Sequence, residues 1–180
     1  MSQQDKFSHI PPGDDIPNEI HAIIEIPKGS RNKYEYDEDL GVFKLDRVLY
    51  SPMHYPVDYG LIPQTLSEDG DHLDTLVLGS NSTFPGCLVE ARPLGLFKMI
   101  DDGDEDFKVL SVQTENPRFE EVNSLEDIRN YKPHLLEEVS HFFETYKDLE
   151  DKNVEVKGWR GKQKAFQEIE KSIENYKAEH

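Results

Sequence analysis

Apolar and polar residues alternate in short runs through the first two thirds of the chain, a pattern typical of β-strands. Clusters of Pro, Gly and Asp separate the runs and predict turns. Residues 33–49 and 88–112 each predict a hairpin, whereas the proline-containing residues 51–63 predict a rigid loop. The predicted strands cover residues 21–26, 33–36, 42–49, 75–78, 88–100 and 107–112.

The spacing of apolar residues changes to the helical period after Ser124. Residues 124–127 resemble a capping box, and Pro133 suits the first position of a helix. A last strand is predicted at 154–159, and residues 1–18 predict an irregular N-terminal arm. Strands first and helices last indicate a mainly β fold, a small barrel with C-terminal helices packed on it, in a single domain of 1–180. The two helical stripes are Leu135, Val139, Phe142, Tyr146 and Leu149, then Phe166, Ile169, Ile173 and Tyr176.

The chain is strongly acidic, with 37 acidic and 20 basic residues and a formal charge of −17. This charge argues against nucleic acid or an anionic membrane as a partner, but not against a small phosphate ligand in one pocket. Cys87 is the only cysteine, which excludes a disulfide framework. Because the sequence shows no apolar signal segment or span-length run, we expect a cytoplasmic protein with no membrane partner.

Three aspartates are concentrated in the run Asp69-Gly70-Asp71-His72-Leu73-Asp74, directly before a short apolar strand. Gly70 permits a tight turn that brings the carboxylates together, where they repel unless a cation lies among them. Oxygen ligands suit Mg²⁺, Mn²⁺ or Ca²⁺ better than zinc. The alternative is an acidic surface turn. Residues 101–106 form a second acidic cluster, at a predicted hairpin tip, and neither cluster fits an EF-hand.

Arg47 lies on a face that alternation assigns to apolar neighbours, namely Phe43, Leu45 and Leu49. An arginine there costs free energy unless it meets an anion, so it marks either an anion site or a side chain that extends to solvent. The residues alone leave both interpretations open.

Several separated motifs follow one another along the chain: Ile24-Glu25-Ile26-Pro27, Lys33-Tyr34-Glu35, Asp46-Arg47, Tyr55-Pro56 with Tyr59-Gly60, Asp69-Gly70-Asp71-x-Leu73-Asp74, Lys98-Met99-x-Asp101, Asp106-x-Lys108, and His141-Phe142-Phe143-Glu144 with Tyr146-Lys147. In their order and spacing they resemble the motifs of family I (soluble) inorganic pyrophosphatases of the short prokaryotic type. The resemblance runs from about residue 16 to residue 159 and implies a five-stranded OB-like β-barrel with C-terminal helices.

The resemblance also implies residue roles. Asp71 matches the general base, with Lys33 and Arg47 also catalytic, and Tyr55 lies near the site. The implied metal ligands are Asp69, Asp74, Asp101 and Asp106, assisted by Glu25 and Glu35. The implied phosphate-binding residues are Lys33, Arg47, Tyr59, Lys108, Tyr146 and Lys147.

The implied activity is Mg²⁺-dependent hydrolysis of diphosphate to two orthophosphates by in-line attack of a metal-activated water. Seven carboxylates and four basic residues in this set give −3, so a tetra-anionic substrate needs three to four Mg²⁺. Mn²⁺ or Zn²⁺ are expected substitutes, Ca²⁺ an inhibitor, and a homo-oligomer, favouring a hexamer, the expected assembly.

Two other functions remain in view. A nucleotide or polyphosphate hydrolase would share the chemistry, whereas a Ca²⁺-binding module would leave Arg47, Lys108 and Lys147 unexplained. Two residues depart from the usual family motif: His72 stands where proline is common, and Thr75 where an aliphatic residue is expected. We expect His72 to be a solvated loop residue without a catalytic role.

Overall fold

The computed structural model describes residues 6–180. Within these residues the chain forms eight strands and three helices. Two helices lie between the seventh and eighth strands, preceded by a short 3-10 turn at Pro117–Phe119, and the third helix follows the eighth strand. The strands are β1 (Ile20–Ile26), β2 (Asn32–Asp37), β3 (Val42–Val48), β4 (Asp58–Leu61), β5 (Asp74–Leu78), β6 (Leu88–Asp101), β7 (Asp104–Gln113) and β8 (Val154–Gly161). The helices are α1 (Leu125–Tyr131), α2 (Leu135–Thr145) and α3 (Lys162–Glu179), which follows β8 directly.

Five strands close into a barrel, in the order β1-β4-β5-β7-β6 with β6 pairing back to β1. Closure explains why β1 is apolar and buried along nearly its whole length, since it is paired on both edges and covered on both faces. Only β5 and β7 run parallel. Strand β8 extends the sheet beyond β6, and β2 and β3 form a separate hairpin. The predicted barrel is confirmed.

The two longer helices cover two different apolar clusters. Side chains of α2, including Val139 and Phe142, pack with Phe97 and Leu110 of the sheet. Side chains of α3, including Ile169, pack with the other set of barrel residues. In the part of the chain that the structure describes, no helix combines the length and apolar composition needed to cross a membrane.

Strand β4 lies inside the segment that the sequence predicted to be a loop, and that prediction is wrong for residues 58–61. Gly60 pairs with Ile24, and a Cβ on Gly60 would lie 2.3 Å from the carbonyl oxygen of Ile23. The close approach of two backbones requires this glycine. A four-residue strand containing glycine has too little alternation to be recognised from the sequence.

Helix α2 ends earlier than its apolar stripe predicted. Tyr146 is the C-cap, and Leu149 lies beyond it in a turn with its side chain 66% exposed, so Leu149 is not a core residue. The helix also begins at Leu135 with His134 as N-cap, which puts Pro133 one residue before the cap. The predicted cap of α1 is confirmed, because Ser124 Oγ accepts a hydrogen bond from Asp127 N.

The sequence predicted that Arg47 shares a face of its strand with apolar residues. This prediction is wrong, because the pairing register of β2 and β3 shifts next to Arg47. Lys33 pairs with Arg47 but Tyr34 pairs with Leu45, which leaves Asp46 as an extra residue in β3. A bulge of this kind breaks the alternation of side chains. Leu45 is therefore 49% exposed, whereas Arg47 turns towards carboxylates.

Candidate active site

A cavity of about 490 Å³ lies between the β2–β3 hairpin and the barrel. Its walls come from distant parts of the sequence, which only barrel closure brings together. All thirteen residues for which the sequence predicted a role line it: Glu25, Lys33, Glu35, Arg47, Tyr59, Asp69, Asp71, Asp74, Asp101, Asp106, Lys108, Tyr146 and Lys147.

Four further acidic, basic or histidine side chains line the cavity although the sequence predicted no role for them: Glu38, Asp46, His72 and Lys152. Asp46 had a signal in the sequence, because it is adjacent to Arg47 within a matching motif. Glu38 and Lys152 lie in polar turns with no distinguishing pattern. The complete lining contains nine carboxylates and five basic side chains, a formal charge of −4.

The acidic loop, residues 62–74, carries three of these carboxylates on a tight turn. Gly70 has φ +91°, a left-handed conformation that suits glycine. Gly70 N donates to Ser67 O at 3.1 Å, and Asp71 N donates to the Asp69 carboxylate at 3.0 Å. The turn directs Asp69, Asp71 and Asp74 into the same cavity, as its sequence predicted.

Buried hydrogen bonds fix both ends of the acidic loop. The hydroxyl of Thr65, which is fully buried, accepts from Leu73 N at 2.8 Å and donates to Ile62 O at 2.5 Å. Leu66 N donates to Ser172 O of α3 at 2.9 Å. The C-terminal helix thus helps to hold the loop that carries the aspartates.

His72 is not the solvated residue that the sequence predicted. Its side chain is only 10% exposed, and Nδ1 lies 2.9 Å from the carbonyl oxygen of Thr65. Thr75 is the other residue that departs from the usual family motif. It is fully buried, and its hydroxyl lies 3.0 Å from Val109 O and 2.9 Å from Ser111 Oγ. Nδ1 of His72 and the hydroxyl of Thr75 each have a local hydrogen-bonding partner, so the fold accommodates a polar residue at both positions.

Lys108 is the central cation of the cavity. Its buried ammonium lies 2.8 Å from Asp74, 3.0 Å from Asp106 and 2.9 Å from the hydroxyl of Tyr59, which in turn donates to Asp74. Burial lowers the pKa of Lys108, but Asp106 and Asp74 outweigh it and raise that pKa. Burial, with Asp74 as a further cause, raises the pKa of Asp106. The lysine is charged, and the two carboxylates compete for it.

Three other basic side chains of the cavity are each held by a carboxylate. Lys147 contacts Asp101 at 2.5 Å, and Lys33 contacts Glu35. The Arg47 guanidinium lies 2.7 Å from Asp46 and 2.9 Å from Glu150. The sequence did not single out Glu150, because this contact joins residues 103 positions apart.

Besides Asp106, two other carboxyl groups of the cavity have raised pKa values. Burial, and then the neighbouring Asp69 and Asp74, raise the pKa of Asp71. Burial raises the pKa of Glu25 to about 7. Tyr55 does not line the cavity; its ring packs 5.8 Å from that of Tyr59, behind the site.

Convergent carboxylates beside buried lysines and tyrosines define a site for metal-assisted chemistry on a small polyanion. The donor set fits hard divalent cations, since every candidate ligand is an oxygen. Basic groups and tyrosine hydroxyls on the same walls suit phosphate oxygens. The fold and the site together indicate a small barrel enzyme of phosphoryl transfer.

Comparison with known proteins agrees with this class. The sequence model of the inorganic pyrophosphatase family matches residues 22–177. The chain is 55% identical over 161 residues to an inorganic pyrophosphatase of Halalkalibacterium halodurans, covering 89% of this chain and 97% of that one. It is 47% identical to one from Picrophilus torridus, with 95% of each chain covered. The structure of the Thermus thermophilus inorganic pyrophosphatase superposes with a TM-score of 0.89 at 47% identity, covering 93% and 97% of the two chains.

The chain therefore belongs to the inorganic pyrophosphatase family, and its relatives are of the short prokaryotic type. It is a hydrolase of diphosphate, and the family is metal-dependent.

Proposed function

We propose that the chain hydrolyses diphosphate to two orthophosphates with Mg²⁺, using the cavity between the hairpin and the barrel. The observation that carries this proposal is the Lys108 cluster, where a buried ammonium shares Asp74, Asp106 and Tyr59. Divalent ions would lie among the carboxylates and free the basic groups for phosphate. The residues proposed to hold the ions are Asp69, Asp74, Asp101 and Asp106, with Glu25 and Glu35 assisting.

The charge of the cavity supports a count of three to four ions. Its formal −4 and the −4 of fully ionised diphosphate would repel strongly in a partly buried site. Four Mg²⁺ bring the total to zero, and three leave −2. When bound, the ions neutralise phosphate charge and lower the pKa of a coordinated water to about 7.

The chain's own residues supply the remaining chemistry. Asp71 takes a proton from the attacking water, a role that its raised pKa favours because a stronger base accepts the proton more readily. Lys33, Arg47, Lys108 and Lys147 stabilise charge on the phosphoryl oxygens. Burial holds the pKa values of Tyr59 and Tyr146 above their usual range, so both hydroxyls stay protonated and can donate to phosphate.

Asp46 and Glu150 orient the substrate-binding arginine. Together they contact two sides of the Arg47 guanidinium, which restricts its rotation before substrate arrives. The side chain of Glu150 is 8% exposed, so its contact with Arg47 is shielded from water.

Phosphate release from three substrates in Mg²⁺ tests the proposed specificity. The wild-type chain should release phosphate from pyrophosphate far faster than from ATP or tripolyphosphate, because charged side chains dominate the lining of the cavity and suit phosphate groups better than a nucleobase. A comparable rate on ATP would favour the alternative function of a nucleotide hydrolase. No phosphate release from any of the three substrates would favour the alternative of a Ca²⁺-binding module.

The same assay with other cations tests the identity of the metal. Mn²⁺ and Zn²⁺ should support turnover, whereas Ca²⁺ should bind and support little. Ca²⁺–oxygen distances of about 2.3–2.6 Å exceed the roughly 2.0–2.1 Å of Mg²⁺ and would displace the reacting groups. Equal rates in saturating Ca²⁺ and Mg²⁺ would contradict this account.

We also propose that residues 1–180 act as one domain, in a homohexamer located in the cytoplasm. The family resemblance supports the assembly, and a single cysteine is consistent with a reducing compartment. The charge of −17 argues against nucleic acid as a partner.

A further inference from the structure

We propose that Asp14, His21 and Glu90 form a second metal site, outside the catalytic cavity, for a divalent transition ion of the Zn²⁺ type. Each residue offers one ligand atom, and these atoms all lie within 4.8 Å of one another. Among residues 6–180, this is the one group of three such side chains that lies so close together. No residue of the group lines the catalytic cavity.

The three side chains come from three parts of the chain. His21 on β1 and Glu90 on β6 are direct partners in the antiparallel register, which places both side chains on the same face of the sheet. Asp14 belongs to the N-terminal segment, which is held against β1 by the hydrogen bond from His21 N to Pro12 O at 2.7 Å. A cation bound there would join this segment to two strands of the barrel.

The hydrogen bonding of His21 prepares its ring for a metal. Nδ1 lies 2.8 Å from the carbonyl oxygen of Pro11, which can only accept, so Nδ1 carries the hydrogen. In the neutral ring this leaves the lone pair on Nε2, the nitrogen that faces Asp14. Metal-binding histidines commonly donate their other nitrogen to a backbone carbonyl in this way. His21 is only 6% exposed, which fixes the ring.

The separation of His21 and Asp14 fits two ligands of one ion. Nε2 lies 3.5 Å from Asp14 Oδ2, beyond the usual range of an N–H···O hydrogen bond. Ligand bonds of about 2.0–2.1 Å in a tetrahedral zinc site put neighbouring ligand atoms roughly 3.3–3.4 Å apart. Asp14 and Glu90 are exposed, so their carboxylates can adjust and water can supply a fourth ligand.

The ligand chemistry separates this site from the catalytic one. An imidazole nitrogen favours Zn²⁺, Co²⁺ or Ni²⁺ over Mg²⁺, whereas the ligands proposed for the catalytic ions are all carboxylates. His21 and the proposed catalytic ligand Glu25 are four residues apart on β1, about 13 Å at the rise of a strand. The second site would therefore stabilise the N-terminal segment rather than take part in hydrolysis.

Zn²⁺ binding measured with excess Mg²⁺ tests the proposal, because Mg²⁺ competes for the carboxylate ligands of the catalytic cavity. We expect the wild-type chain to bind one Zn²⁺ more than His21→Gln in equilibrium dialysis. X-ray absorption of the zinc-loaded wild type should show one nitrogen ligand that His21→Gln lacks. His134→Gln is the matched control: His134 also contacts a carboxylate, Glu137 at 3.0 Å, but belongs to no three-ligand group in the described chain.

Two exposed substitutions cover the case in which His21→Gln does not fold. Asp14→Asn and Glu90→Gln alter surface side chains, and each should weaken the same Zn²⁺ site at least tenfold. Zn²⁺ should also raise the melting temperature of the wild type more than that of either variant. Equal zinc affinity in wild type, Asp14→Asn and Glu90→Gln would overturn the proposal, as would a zinc-loaded wild type without a nitrogen ligand.

Discussion

At the scale of single residues, four of the five basic side chains that line the cavity are paired with carboxylates. Lys108, Lys147 and Arg47 each contact at least one acidic side chain. These contacts hold the basic side chains in place before any phosphate binds, so less side-chain entropy is lost when the substrate binds. When a divalent ion and a phosphate bind, the ion would bind the carboxylate of such a pair and the phosphate would bind its basic side chain.

Replacing Arg47 with lysine should lower kcat/KM for diphosphate by about 10–100-fold. A single ammonium cannot contact Asp46, Glu150 and a phosphate with the planar geometry of a guanidinium. Steady-state kinetics at saturating Mg²⁺ measure the loss. The Mg²⁺ requirement should not change, because Arg47 is not a ligand, and Lys44→Gln on the same strand is the control. Full activity in Arg47→Lys would exclude bidentate phosphate binding.

The raised pKa of Glu25 should affect the stability of the metal-free protein. Burial raises its pKa from 4.5 to about 7, so the folded state binds a proton that the unfolded state releases. The stabilising effect of that proton is complete below pH 4.5 and is lost as the pH rises through 7. Melting temperatures in EDTA should thus fall less steeply over this range in Glu25→Gln than in wild type.

The exposed Glu126 supplies the control for this pH effect, since its carboxylate is 71% exposed. Glu126→Gln should keep the wild-type slope of melting temperature against pH. Parallel slopes for wild type and Glu25→Gln would show that Glu25 titrates alike in the folded and unfolded chains.

The sequence could supply the cavity's residues but not their contacts. Short motifs at separated positions of the sequence identified thirteen lining residues through the family resemblance. The support of Arg47 by Glu150, and of the acidic loop by His72, depends on which turns the folded chain brings together. His72 was assigned to solvent because a histidine in a polar loop has no periodic pattern that would indicate burial.

At the scale of secondary-structure elements, alternation predicted the strands that have a clear polar and apolar face. The hairpins β2–β3 and β6–β7 are confirmed, although β2, β6 and β7 extend beyond the predicted bounds and β3 ends one residue before its predicted end. Strand β4 and the bulge at Asp46 were missed, because both are defined by pairing with distant backbone rather than by local pattern. The sequence did not predict the end of α2 correctly, because Leu149 has the helical spacing of the apolar stripe although it lies beyond the helix.

Replacing Thr65 with valine should destabilise the protein by about 1–3 kcal/mol, the usual cost of a buried polar group left without a partner. Valine keeps the shape but removes the hydroxyl that accepts from Leu73 N. Urea denaturation measures the change. Thr65→Ser, which retains the hydroxyl, should recover much of the stability, and a loss equal to that of valine would assign the effect to packing.

At the scale of the whole molecule, the chain combines a net charge of −17 with apolar side chains exposed on one strand. Val42, Leu45 and Val48 of β3 are each about half exposed, between 47% and 49%. Exposed apolar side chains grouped on one element are typical of interaction surfaces. This observation is compatible with the assembly that the family resemblance implies.

Light scattering coupled to size-exclusion chromatography tests the assembly. Six copies of the 20.8 kDa chain should elute with a mass of about 125 kDa. The mass should be unchanged on dilution into the nanomolar range if the hexamer is tight. A mass near 21 kDa at all concentrations would contradict the expected oligomer.

We infer that Asp71 acts as the general base and Asp74 as a metal ligand, although both lie on the acidic loop. The most direct test is the rate of phosphate release, measured against Mg²⁺ concentration, for Asp71→Asn and Asp74→Asn. We expect Asp71→Asn to keep the Mg²⁺ dependence of the wild type while losing about 10²–10⁴-fold in maximal rate, the usual contribution of a general base. Asp74→Asn should instead need more Mg²⁺, because an anionic ligand is gone. Full recovery of Asp71→Asn at high Mg²⁺ would show that Asp71 serves the metal, contradicting its role as the base.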